Sequence, residues 1–420
     1  MKTIPFSDRL NPVFVKELRQ SIHDRSIVFF FALLTAGQLI LWYIRAIDPT
    51  VVQEADLLYH FGFSGAMLLL LLQQIHSAIR SGNESGKEGF DPSCGTGYPP
   101  WKIVLGKTAA SWCITGIFLA LFLPGICLLG KTFPARELVV LLPIFFLTGQ
   151  LTQCCCMFSQ TKSYRSLLAL ILSLWAIGAT ISVLSAEGND AWAETLPLCA
   201  GGILLGLWFV CIQIANLMPE RSDRNILSKI ALLITGGYFA SCSYAGRIAI
   251  DPDNIFCIAG SLFLIGALFE RKEPTRRQIR QAPENILLRV LTFFVTSGCV
   301  PALATGTALL ATGLYFNPSP AELHNTLICI FYVQLAVHLS GLCRMSAVSL
   351  WIFITILLNI PVISGGIFPW GAAFSLGAPE YLDKQTTIVI AVIAWGVSIV
   401  LNGQLFLRFV RLYFGRKAEQ

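Results

Sequence analysis

An all-α fold of about twelve membrane-crossing helices is predicted for this 420-residue chain by its composition, the spacing of its apolar stretches and the placement of its basic residues. Hydrophobic residues make up 55% of the chain and charged residues only 13%, against about 25% charged in an ordinary soluble protein. Mean hydropathy is +0.67. So little charge cannot clothe a water-facing surface, which excludes soluble, fibrous, collagenous and disordered classes. In lipid a helix satisfies its own backbone hydrogen bonds whereas an open sheet edge does not, so the apolar stretches are read as helices.

Runs free of charge fall at about Ser26–Ile44, Leu58–Ile79, Thr108–Leu129, Leu138–Phe158, Ser166–Leu184 and Leu196–Met218. A second set follows at about Ile230–Gly246, Ile255–Phe269, Val290–Leu309, Leu323–Leu342, Met345–Ile367 and Thr386–Leu407. Ile255–Phe269 is short enough for a re-entrant segment.

The basic residues fix the sidedness. With the N-terminus inside, all but Arg45, Lys131, Arg136, Arg247 and Lys384 of the 30 Lys and Arg residues lie on the cytoplasmic side. Both termini are therefore expected inside, and the dense basic loop Arg271-Lys272…Arg276-Arg277…Arg280 with them. The net charge of +6 is mostly this asymmetry, so no nucleic-acid partner is implied.

Ahead of the first apolar run, the segment from Asn11 to His23 has Asn11 as a helix cap, Pro12 at the first helical position, and Phe14, Leu18 and Ile22 four apart on one face. It is expected to be an amphipathic helix on the inner membrane surface, with Lys16, Arg19 and Arg25 toward anionic headgroups. No small-residue cleavage pattern marks it as a cleavable signal peptide. The chain thus divides into this helix, within 1–25, a six-span domain over 26–218 with a cytoplasmic loop at about 80–107, and a second six-span region over 219–420.

All but Cys94 of the 13 cysteines lie in or beside apolar stretches, so reduced, packed thiols are expected. The run Cys154-Cys155-Cys156 points in three directions about 100° apart on a helix and cannot converge on one metal ion. The expected spans hold no Asp, Glu, Lys or Arg, which argues against ion-coupled transport, where a buried carboxylate is usual. Their larger polar residues read first as interhelical hydrogen-bonding groups. Gln150, Gln153, Gln334 and His338 are the candidates for a polar substrate path, the last two sharing a helical face.

Gly106-Lys107-Thr108 resembles the end of a phosphate-binding loop, but the glycine required five residues earlier is Trp101. No nucleotide site, catalytic residue or metal site is predicted.

The polar loop Asn83-Glu84-Ser85-Gly86-Lys87-Glu88-Gly89-Phe90-Asp91 leads into Tyr98-Pro99-Pro100-Trp101-Lys102-Ile103-Val104-Leu105-Gly106-Lys107. Together with Asn11-Pro12-Val13-Phe14-Val15-Lys16-Glu17-Leu18-Arg19-Gln20, it resembles the permease subunits of ABC transporters of the type-2 exporter class. In that family an amphipathic helix precedes the first span, and acidic residues, a Pro-Trp turn and Ile-Val-Leu-Gly-Lys open the third. The resemblance covers about residues 8–218. It departs where the family carries Arg-Glu-x-Gly-Thr and this chain has Lys87-Glu88-Gly89-Phe90.

The resemblance implies a separate ABC ATPase subunit, which carries ATP and Mg, docking on the N-terminal helix and the first cytoplasmic loop. Asn11, Pro12, Lys16, Glu17, Arg19, Glu84, Glu88, Pro99, Pro100, Trp101, Gly106 and Lys107 would be the docking and coupling residues. It also implies a homodimer or heterodimer of permeases in a bacterial inner membrane, with no cofactor held by this chain. The second half is either a degenerate permease-like unit or an added membrane domain. A twelve-span secondary carrier and a non-transporting scaffold are the competing readings.

Overall fold

A computed structural model describes residues 11–47, 55–86, 98–129, 135–158, 192–217, 226–248, 251–268, 270, 273–274, 276–316, 320–343, 347–363 and 384–415. Every regular element among them is helical. The chain divides into two compact units, Met1–Met218 and Pro219–Gln420.

The first unit contains α1 (Pro12–Ile22), α2 (Arg25–Ile47), α3 (Ala55–Gly86), α4 (Pro100–Leu129), α5 (Ala135–Phe158) and α6 (Trp192–Leu217). Its centre is α3, where Phe63, Met67, Leu70 and Leu71 are fully enclosed by Ile27 and Leu34 of α2, Ile114 and Phe118 of α4, and Leu141 and Phe145 of α5. Val104 of α4 meets Val210 and Ile214 of α6 in a smaller cluster.

The second unit contains α7 (Ile226–Tyr244), α8 (Pro252–Ala267), α9 (Arg276–Gln281), α10 (Ile286–Val295), α11 (Cys299–Phe316), α12 (Pro320–Cys343), α13 (Ala347–Ile363) and α14 (Lys384–Phe414). Tyr332, Ile328 and Ala336 of α12 anchor a core shared with α8, α11, α13 and α14. Helices α8 and α11 touch backbone to backbone: a Cβ on Gly260 would lie 2.9 Å from the carbonyl of Gly306, and one on Gly306 the same distance from that of Gly260. Small residues allow such an approach, and in lipid it is dispersion and hydrogen bonding, rather than transfer from water, that hold helices together.

Five helical stretches among the described residues are long and apolar enough to cross a membrane, Gly62–Ser81, Pro100–Leu123, Leu138–Cys156, Leu196–Leu217 and Ile226–Tyr244, or up to six if one bent pair counts as a span. Large apolar side chains also cover the outside: Val28, Phe29, Leu39 and Ile40 on α2, and Val392, Val397 and Val400 on α14, are exposed. A hydrocarbon solvent accepts such a surface, and water does not.

The helices differ from the apolar runs in three places. The run Val290–Leu309 is not one continuous helix: it is split between α10 and α11, which meet at 90°. Gly298, with φ of 151°, makes the bend where a side chain would be strained. Hydropathy does not register this, because both arms are apolar. The segment expected as a cytoplasmic loop at about 80–107 is helical up to Gly86, in α3, and again from Pro100, in α4. Finally, the helices extend past their charge-free windows, so that Lys107 lies within α4 and Lys229 within α7, both buried. The expected span Ser166–Leu184 and Glu88 lie outside the described residues, as does the side chain of Glu84.

Candidate functional site

Helix α1 starts as the sequence suggests. The Asn11 side-chain oxygen accepts the Val13 N–H at 3.0 Å, capping the helix, and Pro12 fills a position that needs no donor. The Asn11 amide is then free to donate across to the Lys102 carbonyl at 2.6 Å. One turn further along α4, Gly106 lets α1 approach: a Cβ there would sit 3.0 Å from Asn11 Nδ2, the Phe14 nitrogen and Val13 Cβ. The two segments that carry the family resemblance thus pack directly on one another.

The stripe of α1 turned inward is Val13, Glu17 and Ser21, one residue off the Phe14, Leu18 and Ile22 stripe; Phe14 and Leu18 are half-buried and Ile22 is exposed. Charge explains the offset. Glu17, with a side chain only 4% exposed, lies 4.0 Å from Arg80 of α3 and 4.0 Å from Lys107 of α4, itself 3% exposed. A carboxylate so enclosed is tolerated only with cations beside it.

Asp24, in the turn between α1 and α2, completes the cluster. One oxygen accepts the Ser26 N–H at 3.0 Å, at the start of α2, and the other accepts from Arg80 Nη1 at 3.0 Å. His76 Nε2 is 3.5 Å away, and Arg80 Nη2 also donates to Ser21. Burial by itself would raise the Asp24 carboxyl, but the Ser26 backbone, Arg80, the Ser26 side chain and His76 together hold it below the usual carboxylate range. Two acids and two basic side chains therefore tie α1, α2, α3 and α4 into one block.

Polar contacts continue inward from that block. Lys107 Nζ donates to the Ser81 carbonyl at 3.5 Å, and Gln153 Nε2 of α5 donates to the Ser81 hydroxyl at 3.1 Å. Gln213 of α6 donates to the backbone carbonyl and the side chain of Gln150 at 3.1 and 3.2 Å. Ser111 and Thr115 of α4 donate to Gln74 at 3.0 and 2.8 Å. Gln150 and Gln153 thus both serve as crosslinks between helices.

In the second unit, Gln334 is buried and its backbone carbonyl accepts from Asn402 Nδ2 at 3.1 Å, while His338 is half-buried one turn on. Lys16, Arg19 and Pro12 stand on the exposed side of α1. Pro99 accepts the Lys102 N–H at 2.9 Å, turning the chain into α4. Trp101 is 48% exposed, with Lys102 Nζ 5.4 Å from its ring centre. Cys154 and Cys156 are buried with Cys155 between them half-buried. Among the described residues no group of three His, Cys, Asp or Glu is placed to hold a metal ion.

Sequence reasoning missed Asp24, Ser21 and Arg80. Asp24 and Arg80 lie where hydropathy sees only a loop or a span end, in which charge needs no partner, and Ser21 lies off the apolar stripe of the N-terminal helix. The available signal was the four-residue spacing of His76 and Arg80, which puts both on one face of α3.

Compared with known proteins, the chain matches no family model, no curated protein and no solved structure. Among the described residues, fold and site together define an all-helical protein with five, or up to six, stretches able to cross a membrane and a charged cluster fastening α1 to α3 and α4.

Proposed function

We propose that the chain is the membrane-spanning permease subunit of an ATP-binding cassette export system, with about twelve spans and both termini in the cytoplasm of a bacterium. A separate ATPase subunit docks on α1 and on the segment around Pro99, Pro100 and Trp101, and holds the ATP and Mg. The permease works as a dimer of such subunits. The observation that carries this reading is the packing of α1 on the head of α4 through Asn11 and Gly106, which joins the two motif segments into one rigid block. Lys16, Arg19 and Trp101 are the exposed groups on that block, available to a partner, whereas Glu17, Gly106 and Lys107 hold it together. A push delivered there moves α1 and α4 as one body, and the contacts of Lys107 and Gln153 with Ser81 carry it to α3 and α5.

The test is purification of the tagged chain from its native membrane in mild detergent, with and without Trp101→Ala. A nucleotide-binding subunit that accompanies the wild type, with weaker docking or uncoupled ATP hydrolysis in the variant, is the expected outcome. A chain that arrives alone, or a variant that couples normally, rejects the reading.

A further inference from the structure

Helix α10 reverses the pattern of a water-facing amphipathic helix. Its charged residue, Arg289, is buried, donating from Nε to the Pro283 carbonyl at 2.8 Å and from Nη1 to the Phe414 carbonyl at 3.4 Å. Around the rest of the helix Ile286, Leu287, Leu288, Val290 and Leu291 stand exposed, the first two at 75% and 66%. These five cover about 200° of the helix at ~100° per residue, leaving Arg289 and Phe293 on the remaining side. In water such a surface would forgo the free energy of burying it.

The direction of α10 identifies the solvent. Helix α11 has 18 residues, about 27 Å of helix, close to the ~30 Å hydrocarbon thickness. Crossing helices tilt by about 20° on average. An α10 at 90° to α11 therefore runs along the membrane surface instead of through it.

The right angle is fastened from several sides. Lys229 Nζ of α7 bonds the Thr296 carbonyl at 2.8 Å and pairs with Glu270 at 3.0 Å, and Glu270 accepts the Gly298 N–H. Gln278 of α9 donates to the Ser297 carbonyl at 2.8 Å, so all three residues of the break are held. Phe293 fixes the inner face of α10 among Phe409, Tyr413 and Phe414 at the end of α14. Just upstream the sequence carries Arg271, Lys272, Arg276, Arg277 and Arg280. A cationic run next to an apolar helix face suits anionic headgroups above acyl chains.

We propose that α10 is a membrane-interface helix whose Ile286, Leu287, Val290 and Leu291 face lies in the upper acyl region of one leaflet. This inference stands on the second unit alone and does not depend on an ATPase partner. To test it, the full chain is reconstituted in phosphatidylcholine and phosphatidylglycerol vesicles with a fluorescent amino acid encoded at Leu287 or, separately, at Val290. Exposed Ala308, midway along α11, is the comparison position.

Phospholipids brominated near the glycerol end of the chain should quench both α10 positions at least about twofold more than those brominated near the chain terminus, with the order reversed at Ala308. Stronger quenching from the chain terminus at Leu287 and Val290 would make α10 half of a broken span and overturn the proposal. Quenching by aqueous iodide without quenching by either lipid would expose the face to water, and quenching by neither would cover it with protein. Each of those outcomes also overturns it.

Discussion

Asn11 and Lys102 lie ninety-one residues apart in sequence and are joined by a 2.6 Å hydrogen bond from the Asn11 amide to the Lys102 carbonyl. One side chain both caps α1 and tethers it to α4. Asn11→Ala removes both roles, with an expected cost of about 0.5–2 kcal/mol for the cap and more for the tether. Thermal unfolding of the purified variant in detergent checks this; Asn11→Asp, which keeps the cap oxygen and loses the amide donor, separates the two contributions.

Gly106 sets how closely those helices meet. Gly106→Leu would push α1 away from α4, at a cost of about 1–3 kcal/mol. Crosslinking between engineered pairs on α1 and α4 should fall, while the long helices remain inserted. Undiminished crosslinking would show that α1 can follow the added bulk without cost.

Glu17 is the hub of the charged block. Glu17→Ala leaves Arg80 and Lys107 without their shared carboxylate, and breaking a buried pair costs about 3–5 kcal/mol. The 4.0 Å separations place this case toward the lower end. A double change, Glu17→Gln with Lys107→Met, should recover part of the loss because less charge remains buried. No recovery in the unfolding temperature would mean that Lys107 acts independently of Glu17.

Asp24 contributes pH dependence. Its carboxyl is held below the ordinary value of about 3.9, so its contribution is complete above that value and is lost as pH falls through the lower folded pKa. Unfolding temperature measured down an acid series should drop more steeply for the wild type than for Asp24→Asn, which lacks the titrating group. Identical acid limbs would remove Asp24 as a contributor.

The Lys229 and Glu270 pair holds the bend before α11, with side chains 7% and 5% exposed. Glu270→Ala should destabilise by about 3–5 kcal/mol and free the break at Ser297 and Gly298. Protease sensitivity and amide exchange between Thr296 and Val300 are the readouts. Protection equal to wild type would show that Gln278 and the Phe293 cluster suffice.

Composition and apolar run length determined the helical class, because a lipid-facing chain must be both apolar and internally hydrogen-bonded along its backbone. Asn11 followed by Pro12 likewise set the start of α1, since capping is decided within one turn. Only the tertiary structure decided which face of α1 turns inward, because Glu17 takes its place from Arg80 and Lys107, more than sixty residues away. It also decided that α10 and α11 are two helices at a right angle: hydropathy measures how apolar a segment is and carries no information on direction, whereas the bend is made by Gly298 and held by Lys229, Glu270 and Gln278. Charges at the ends of apolar runs look solvated in one dimension, and three-dimensional packing turned Arg80 and Lys107 toward Glu17 in the first unit, and Lys229 and Glu270 toward each other in the second.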